Sequence, residues 1–511
     1  MFLGSHLGDL TEPLTGRSWN HDEVCRRVIA RISYYGEQGV SRGDRIFILY
    51  GNNLEFFVDL LAVWHLGASL VPIDARLTTF EIENLARAVK PRLMLVNRAV
   101  DPVLVAGLAA LAVEIINTTE PDSAARGRFE SNSFASKTRL DDEALILFTS
   151  GSTGTPKGVV HTHRSLRARW MALGQSLGIE PYRRTLCLLP THFGHGLICN
   201  SLFPWLSGQH LFIVPPFSTD VLMRLGAIID EYKITFLSSV PSMWWLALKA
   251  SKPPRARTLN RIHCGSAPLS AHLWKQIQEW GNTDEVFNAY GITETGSWVA
   301  GTSLGEFVPE DGLVGVPWGA VIRILKSPES SAPFQMVDDC KADETGYIWI
   351  NTPALMRGYY GQQELTDEVV SGGWFLTGDL GLLDERGRLY LRGREREEIN
   401  KGGTKIYPAD IDTVVERFER TREVCAFAIP DPSYGQNVAM AVVLSDQEPP
   451  TIQALHGWMK RHLAEYKMPV RWYVLDSLPY NARGKLNRSR VQECCAQQAP
   501  LDLQKILRAR L

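Results

Sequence analysis

The densest run of chemistry-bearing residues is Thr149 to Gly158, which reads TSGSTGTPKG. Gly151, Gly154 and Gly158 let backbone N–H groups turn inward with no Cβ in the way, and the hydroxyls of Thr149, Ser150, Ser152, Thr153 and Thr155 add further donors. Lys157 supplies positive charge, so a loop of this composition suits a polyphosphate. It is not the P-loop of kinases and motor ATPases. Counting from Gly151, the sixth position is Pro156 instead of glycine, and within the loop no lysine is followed by serine or threonine. Further along, TGD at residues 377–379 follows the apolar run Trp374 to Leu376, which places the Asp379 carboxylate at a strand end, where it could accept hydrogen bonds from two neighbouring hydroxyls.

The elements that must hold these groups alternate between helix-like and strand-like apolar spacing. Ala144 to Phe148 is a strand candidate that feeds directly into the hydroxyl-rich loop, while Phe56 to Leu66, Phe80 to Val89 and Val221 to Tyr232 have helical spacing. Short apolar runs at Ala68 to Pro72, Thr185 to Leu189 and His210 to Val214 fall between them, a rhythm that predicts α/β layers. From Gly346 onward GYIWI, WFLTGD and GRLYLRG predict short strands between Gly and Asp turns. The charged, glycine-ended GREREEINKGG around Arg394 to Lys401 predicts an exposed linker. The expected organisation is therefore a large multi-layered α/β domain over 1–394 with a β-rich end, a hinge over 395–400 and a small mobile α+β domain over 401–511.

A chain of 511 residues exceeds the size at which one hydrophobic core stops growing, roughly 250 to 300 residues, which agrees with more than one domain. Lys plus Arg (54) nearly balances Asp plus Glu (56), so no global field favours nucleic acid or an anionic membrane, and any anion site is local. The eight cysteines show no CxxC pair or regular spacing, which indicates neither a disulfide framework nor a zinc ribbon. The opening MFLGSHLGDLTEP lacks the pattern of a secretory signal, and the longest apolar segment, Val103 to Ile116, is too short to span a bilayer, so a cytoplasmic protein is expected.

The decapeptide at 149–158, with its preceding strand and following Val159, Val160 and His161, resembles the signature loop of the adenylate-forming superfamily of acyl-CoA synthetases, adenylation domains and luciferases. Four more motifs follow in that family's order, so the resemblance spans 149–488. GSAPLS at 265–270 is similar to the loop beside adenine, which implies nucleotide contacts for Gly265, Ser266, Ala267 and Pro268. NAYGITETG at 288–296 is similar to the segment whose aromatic residue stacks on the base. It implies nucleotide contacts for Asn288, Ala289, Tyr290 and Gly291, a phosphate contact for Thr293 and a Mg²⁺ ligand in Glu294. Asp379 and Arg394 match the ribose and phosphate contacts. LPYNARGKLNR at 478–488 places Lys485 at the family's mobile catalytic lysine, a cation suited to charge developing on the carboxylate and α-phosphate oxygens. Glu397 falls at the hinge position, where the family more often has Asp or Lys, and Asn400 replaces the usual lysine three residues later. Gly403 matches a glycine lining the acceptor tunnel of thiol-using relatives.

The resemblance implies ATP and Mg²⁺ as cofactors and a two-step reaction. A small-molecule carboxylic acid becomes an acyl-adenylate with release of pyrophosphate, and the smaller domain then swings to admit an acceptor. LPTHFGHGL at 189–197 resembles a pocket-lining motif in which Phe193 replaces the usual histidine and His192 and His195 flank it, giving three acid-pocket candidates. SVPSMWWL at 239–246 and Trp298 add aromatic surface consistent with an apolar aliphatic or cyclic acid. With His161 and His163 the histidines form no metal-ligand pattern, because no carboxylate or cysteine set accompanies them. No aspartate marks an amino-acid substrate, and no carrier domain follows Lys485. Three acceptors stay open: the thiol of coenzyme A, a carrier-protein thiol, and an amino acid amine as in amide ligases similar to coronafacate ligase. A silent scaffold homologue and a luciferase-like oxygenase are the more distant readings. A monomer or homodimer without nucleic-acid or membrane partners is expected.

Overall fold

The computed structural model describes residues 7–118, 138–149, 157–216, 218–303, 307–329, 338–394, 397, 399–401, 404–431, 434–463, 465–480 and 486–508. Among them lie three sheets. A seven-stranded sheet has the mainly parallel order Gly358–Tyr359, Lys157–Thr162, Glu143–Thr149, Ser69–Pro72, Arg45–Ile48, Leu93–Val96, Glu114–Asn117. Its inner strands LMLV and SLVP are buried at every position, because the sheet is covered on both faces. Helices Leu54–His65 and Thr79–Val89 pack against it and bury Phe57, Leu61, Ile82 and Val89. Thr78 closes the second of these with a capping box to Glu81.

Within the fourteen-stranded sheet the neighbouring strands His210–Ile213, Arg184–Cys187, Phe236–Ser239, Arg261–Gly265 and Val286–Ile292 run parallel, and the sheet turns antiparallel at Ser297–Gly301. It continues through Leu313–Pro317, Leu389–Arg394, Trp374–Leu383, Gly346–Asn351 and Val321–Leu325, the β-rich end expected from the glycine-punctuated runs. The helix expected over Val221 to Tyr232 is two helices, Thr219–Met223 and Leu225–Tyr232. The break is at Arg224, whose backbone (φ −100°, ψ 6°) leaves the helical region and whose N–H closes the first helix on Asp220 and Val221 carbonyls.

The smaller unit is built on a five-stranded sheet comprising Ile399–Lys401, Thr404–Ile406, Thr421–Asp431, Gly435–Leu444 and Arg471–Val474, with helices Pro408–Glu416, Pro449–His462 and Arg488–Ala496 against it. The segment expected to be an exposed linker is partly core. Ile399 has no exposed surface and joins Ile411, Met440 and Trp472, since an apolar residue at a strand start is drawn under the sheet. An ion pair between Arg417 and Asp311 ties this unit to the larger one, and Asp311 also accepts the Ala271 N–H at 2.7 Å. No helix among the described residues is long and apolar enough to cross a membrane.

Candidate active site

The hydroxyl-rich loop leaves one strand of a hairpin and enters the other. Thr149 and Lys157 are register partners, so the ends of 150–156 are held together. Ser150, Gly151, Ser152, Thr153, Gly154 and Thr155 lie outside the described residues, as do Gly403 and Lys485. Past the hairpin, His161 donates from Nε2 to the Thr293 carbonyl at 2.8 Å, which fixes its tautomer. Complete burial lowers its pKa to about 4, so the ring is neutral and serves as a tie between the hairpin and the Thr293–Thr295 turn. His163 packs edge-on against Trp64 at 5.2 Å.

That tie brings distant residues together. Tyr359 donates its hydroxyl to Glu294 Oε1 at 2.8 Å, and the Lys157 ammonium lies 5.2 Å from the centre of the Tyr359 ring. Burial and the neighbouring Glu294 carboxylate push the Tyr359 hydroxyl pKa upward, so it stays a donor. Residues 157, 294 and 359 therefore form one cluster at the mouth of the hairpin. The Met356 N–H bonds the Glu294 carbonyl at 2.7 Å and anchors the turn from behind. Arg169, with no exposed surface, reaches the same turn, donating to the carbonyls of Thr295 at 2.9 Å and Trp318 at 2.7 Å and to Thr352 Oγ1 at 3.2 Å. Neither Tyr359 nor Arg169 was identified from sequence, because their partners lie 65 to 183 residues away and no local spacing marks them.

A second cluster surrounds Asp379, which is 5% exposed. Its Oδ2 accepts the Tyr290 hydroxyl at 2.6 Å and its Oδ1 accepts Arg394 Nε at 2.8 Å. Asp379 and Arg394 face each other across neighbouring strands, so the sheet register makes this pair. Asp379 follows Gly378, whose φ of +71° suits glycine. Burial and the Asp379 charge raise the Tyr290 pKa, and Arg394 is held charged chiefly by Asp379.

Both clusters depend on two close approaches between strands. A Cβ at Gly265 would stand 2.2 Å from the Ala289 carbonyl oxygen, and one at Gly291 would stand 2.0 Å from that of Ser297. The side chain of Asn288 is turned to the Leu313 carbonyl at 2.7 Å, and Asn288, Ala289 and Tyr290 border an open space. That space is a cavity of about 550 Å³ walled by both units. Ser266, Ala267, Pro268, Tyr290, Asp379 and Arg394 line one side, and Glu397, Glu416, Tyr480 and Arg488 the other. Arg488 donates to Glu397 at 3.3 Å and Asp412 at 2.9 Å. Tyr480 and Leu486, which flank the segment carrying Lys485, pair by a β-bridge.

The acid-pocket candidates diverge. His192 faces Asp74 at 3.4 Å, whereas His195 is 3% exposed and lies between Ser266 and Ser238. Phe193 packs 5.9 Å from the His195 ring. His195 opens an eight-residue π-helix, His195–Leu202, a form rare in proteins and frequent at functional sites. The aromatic surface expected from Trp244 and Trp298 is core: each is 1% exposed, Trp244 donating to Ser239 at 2.8 Å and Trp298 packing on His263 at 4.4 Å. An indole of that size packed among apolar side chains of helices and sheet is more stable buried than lining water.

A layered α/β body in which a buried carboxylate, tyrosine and arginine converge near the hairpin that carries the hydroxyl-rich segment fits an enzyme that binds a nucleotide. The chain belongs to the AMP-binding enzyme family, matching the AMP-binding enzyme over residues 14–360 and the AMP-binding enzyme C-terminal domain over 410–485, and so to the adenylate-forming acyl-CoA synthetase superfamily. It is 29% identical over 495 residues to malonate–CoA ligase of Arabidopsis thaliana, covering 89% of this chain and 78% of that protein. It is likewise 29% identical over 473 residues to 2-succinylbenzoate–CoA ligase of Bacillus velezensis, covering 92% and 91%. Among solved structures, o-succinylbenzoate CoA synthetase from Bacillus subtilis with its acyl-adenylate intermediate superposes with a TM-score of 0.81 at 25% identity, over 97% of this chain and 96% of that one. The same enzyme with ATP and a magnesium ion also gives 0.81 at 25% identity, over 96% and 97%.

Proposed function

We propose that this enzyme joins a carboxylic acid to the thiol of coenzyme A in two half-reactions through an acyl-adenylate. The observation that carries the reading is the cavity itself: the buried Asp379, paired with Tyr290 and Arg394, faces residues of the second unit that flank the Lys485 segment. In the first half-reaction Asp379 accepts the ribose hydroxyls through lone pairs left over from Tyr290 and Arg394, and Tyr290 offers its ring to the base. The residues of 149–157 hold the β- and γ-phosphates, with Thr293 beside them. Lys485 neutralises charge as the acid's carboxylate attacks the α-phosphate and pyrophosphate leaves. Positioning contributes most of the rate, since the protein forms no covalent bond of its own.

Glu294 fits Mg²⁺ as a single hard oxygen ligand for an ion that arrives on phosphates and keeps several waters. Among the described residues no group of three or more His, Cys, Asp or Glu is arranged to hold a metal ion. The ion, when bound, neutralises phosphate charge, while Tyr359 keeps the Glu294 carboxylate oriented by its hydrogen bond. In the second half-reaction Glu397, between Arg394 and the buried Ile399, is the pivot, and Gly403 leaves room for the thiol, which attacks the acyl carbon and releases AMP. The acid body is apolar, aliphatic or cyclic, set against Pro241, Ala267 and Ile292 of the cavity wall.

The test is incubation of enzyme, ATP and a panel of acids with coenzyme A or with amino acids, products being identified by mass. A coenzyme A thioester with AMP and pyrophosphate is expected, and an amide formed without coenzyme A would move the assignment to an amide ligase. Lys485→Ala should slow acid-dependent pyrophosphate release by orders of magnitude, and unchanged release would remove that residue from the chemistry.

A further inference from the structure

Ser266 stands on the cavity wall with a backbone φ of +65°, a left-handed conformation that residues other than glycine seldom adopt and that concentrates at ligand clamps. Behind it, His195 Nδ1 lies 2.8 Å from Ser266 Oγ, and His195 Nε2 lies 2.6 Å from Ser238 Oγ. The imidazole is wedged between Phe193 and Trp298, whose rings are 5.9 Å and 5.3 Å away, so it cannot turn freely. Burial lowers its pKa to about 3, and the ring is neutral, with one nitrogen donating and the other accepting. The two serine hydroxyls are therefore coupled. A hydrogen on Nδ1 is donated to Ser266, whose own O–H then points to the cavity. A hydrogen on Nε2 goes to Ser238, and Ser266 turns its O–H inward and shows lone pairs to the cavity. Each state presents one oriented, uncharged hydrogen-bonding group beside Pro241 and Ala267.

We propose that Ser266 recognises a neutral polar substituent, a hydroxyl or carbonyl, carried close to the carboxylate of the acid, and that His195, backed by Ser238, is the residue that positions it. The proposal rests on the acid-activation reading above and narrows it: the acid has an apolar body and one uncharged polar group near its reacting end. A purely structural role, tying the π-helix to strands Phe236–Ser239 and Arg261–Gly265, would affect every acid alike.

The experiment is ATP–pyrophosphate exchange with matched acids, benzoate against 2-hydroxybenzoate and propanoate against 2-hydroxypropanoate and 2-oxopropanoate. At least one substituted acid should exceed its parent in kcat/KM by about 10- to 100-fold, the range for a hydrogen bond whose loss leaves a desolvated group unpaired. In Ser266→Ala and His195→Phe that ratio should fall to within about threefold of one. His195→Gln, which keeps a donor–acceptor pair, should retain most of it, and the gentler Ser238→Ala should give an intermediate value. A ratio that survives in Ser266→Ala and His195→Phe overturns the proposal, as does exchange that never distinguishes substituted from parent acids. Absence of exchange with every acid overturns the acid-activation reading instead, and this one with it.

Discussion

Asp379→Asn isolates charge from shape at the nucleotide cluster. The carboxylate spends one lone pair of Oδ2 on the Tyr290 hydroxyl at 2.6 Å and one of Oδ1 on Arg394 Nε at 2.8 Å, which leaves two lone pairs for a diol. An asparagine must keep its oxygen toward Arg394, because that guanidinium only donates. Its amide then faces Tyr290, whose hydroxyl can rotate to accept. The fold should survive with a melting temperature within a few degrees of the parent. The nucleotide, however, loses an anionic acceptor and meets an N–H₂ where one hydroxyl had donated. Hydrogen bonds to charged groups contribute about 1.5 to 3 kcal/mol each, so losing one fully and weakening the other amounts to roughly 3 kcal/mol. That is about 10²-fold in kcat/KM for ATP, read by pyrophosphate exchange at saturating acid. A variant that melts like the parent and keeps kcat/KM for ATP within about threefold would refute the ribose assignment.

Three further perturbations test the framework around it. Gly291→Ala places a methyl 2.0 Å from the Ser297 carbonyl oxygen, so the strands must part; urea unfolding should show a loss of about 1 to 3 kcal/mol, with adenylation falling as Tyr290 and Thr293 shift. Arg169→Met leaves the carbonyls of Thr295 and Trp318 without their buried donor and should cost about 2 to 4 kcal/mol in the same assay, while a change below about 0.5 kcal/mol would show that the turn does not need this anchor. Burial chiefly, and Asp412 next, raise the pKa of the partly exposed Glu416 to about 8 in the cavity wall. A group raised above its ordinary value of 4.5 contributes stability that is full below that pH and is lost as pH climbs through about 8. The urea midpoint of the smaller unit should therefore decline between pH 5 and about 8, and Glu416→Gln should flatten that slope; an equal slope in the variant would contradict it.

What the sequence made legible follows from the range of each interaction. Strand Glu143–Thr149 and helices Leu54–His65 and Thr79–Val89 were readable from apolar periodicity because their residues meet the core at fixed local spacing. The Arg224 break was not, since a single residue leaving the helical region changes no periodicity. Tyr290 and Asp379 were found through motifs, yet their direct contact joins residues 89 apart on strands that are not neighbours in the sheet, so it depends on how the whole sheet closes. Tyr359, Arg169 and Glu416 carry no motif and emerge only when the chain closes. Trp244 and Trp298 show the opposite error: aromatic residues near a pocket sequence suggest lining, and the packing of helices and strands takes them inside. The π-helix at His195–Leu202 was also unreadable, because its extra residue per turn leaves an apolar run that suits several periods.

The most direct test of acyl-adenylate formation follows oxygen. An accepted acid labelled with ¹⁸O in both carboxylate positions is turned over with ATP and coenzyme A, and the nucleotide product is weighed by mass spectrometry. Attack of the carboxylate on the α-phosphate leaves the bridging oxygen on phosphorus when the thiol takes the acyl group, so AMP carrying one ¹⁸O is the predicted result. Unlabelled AMP, or ADP with the label in inorganic phosphate, would contradict it.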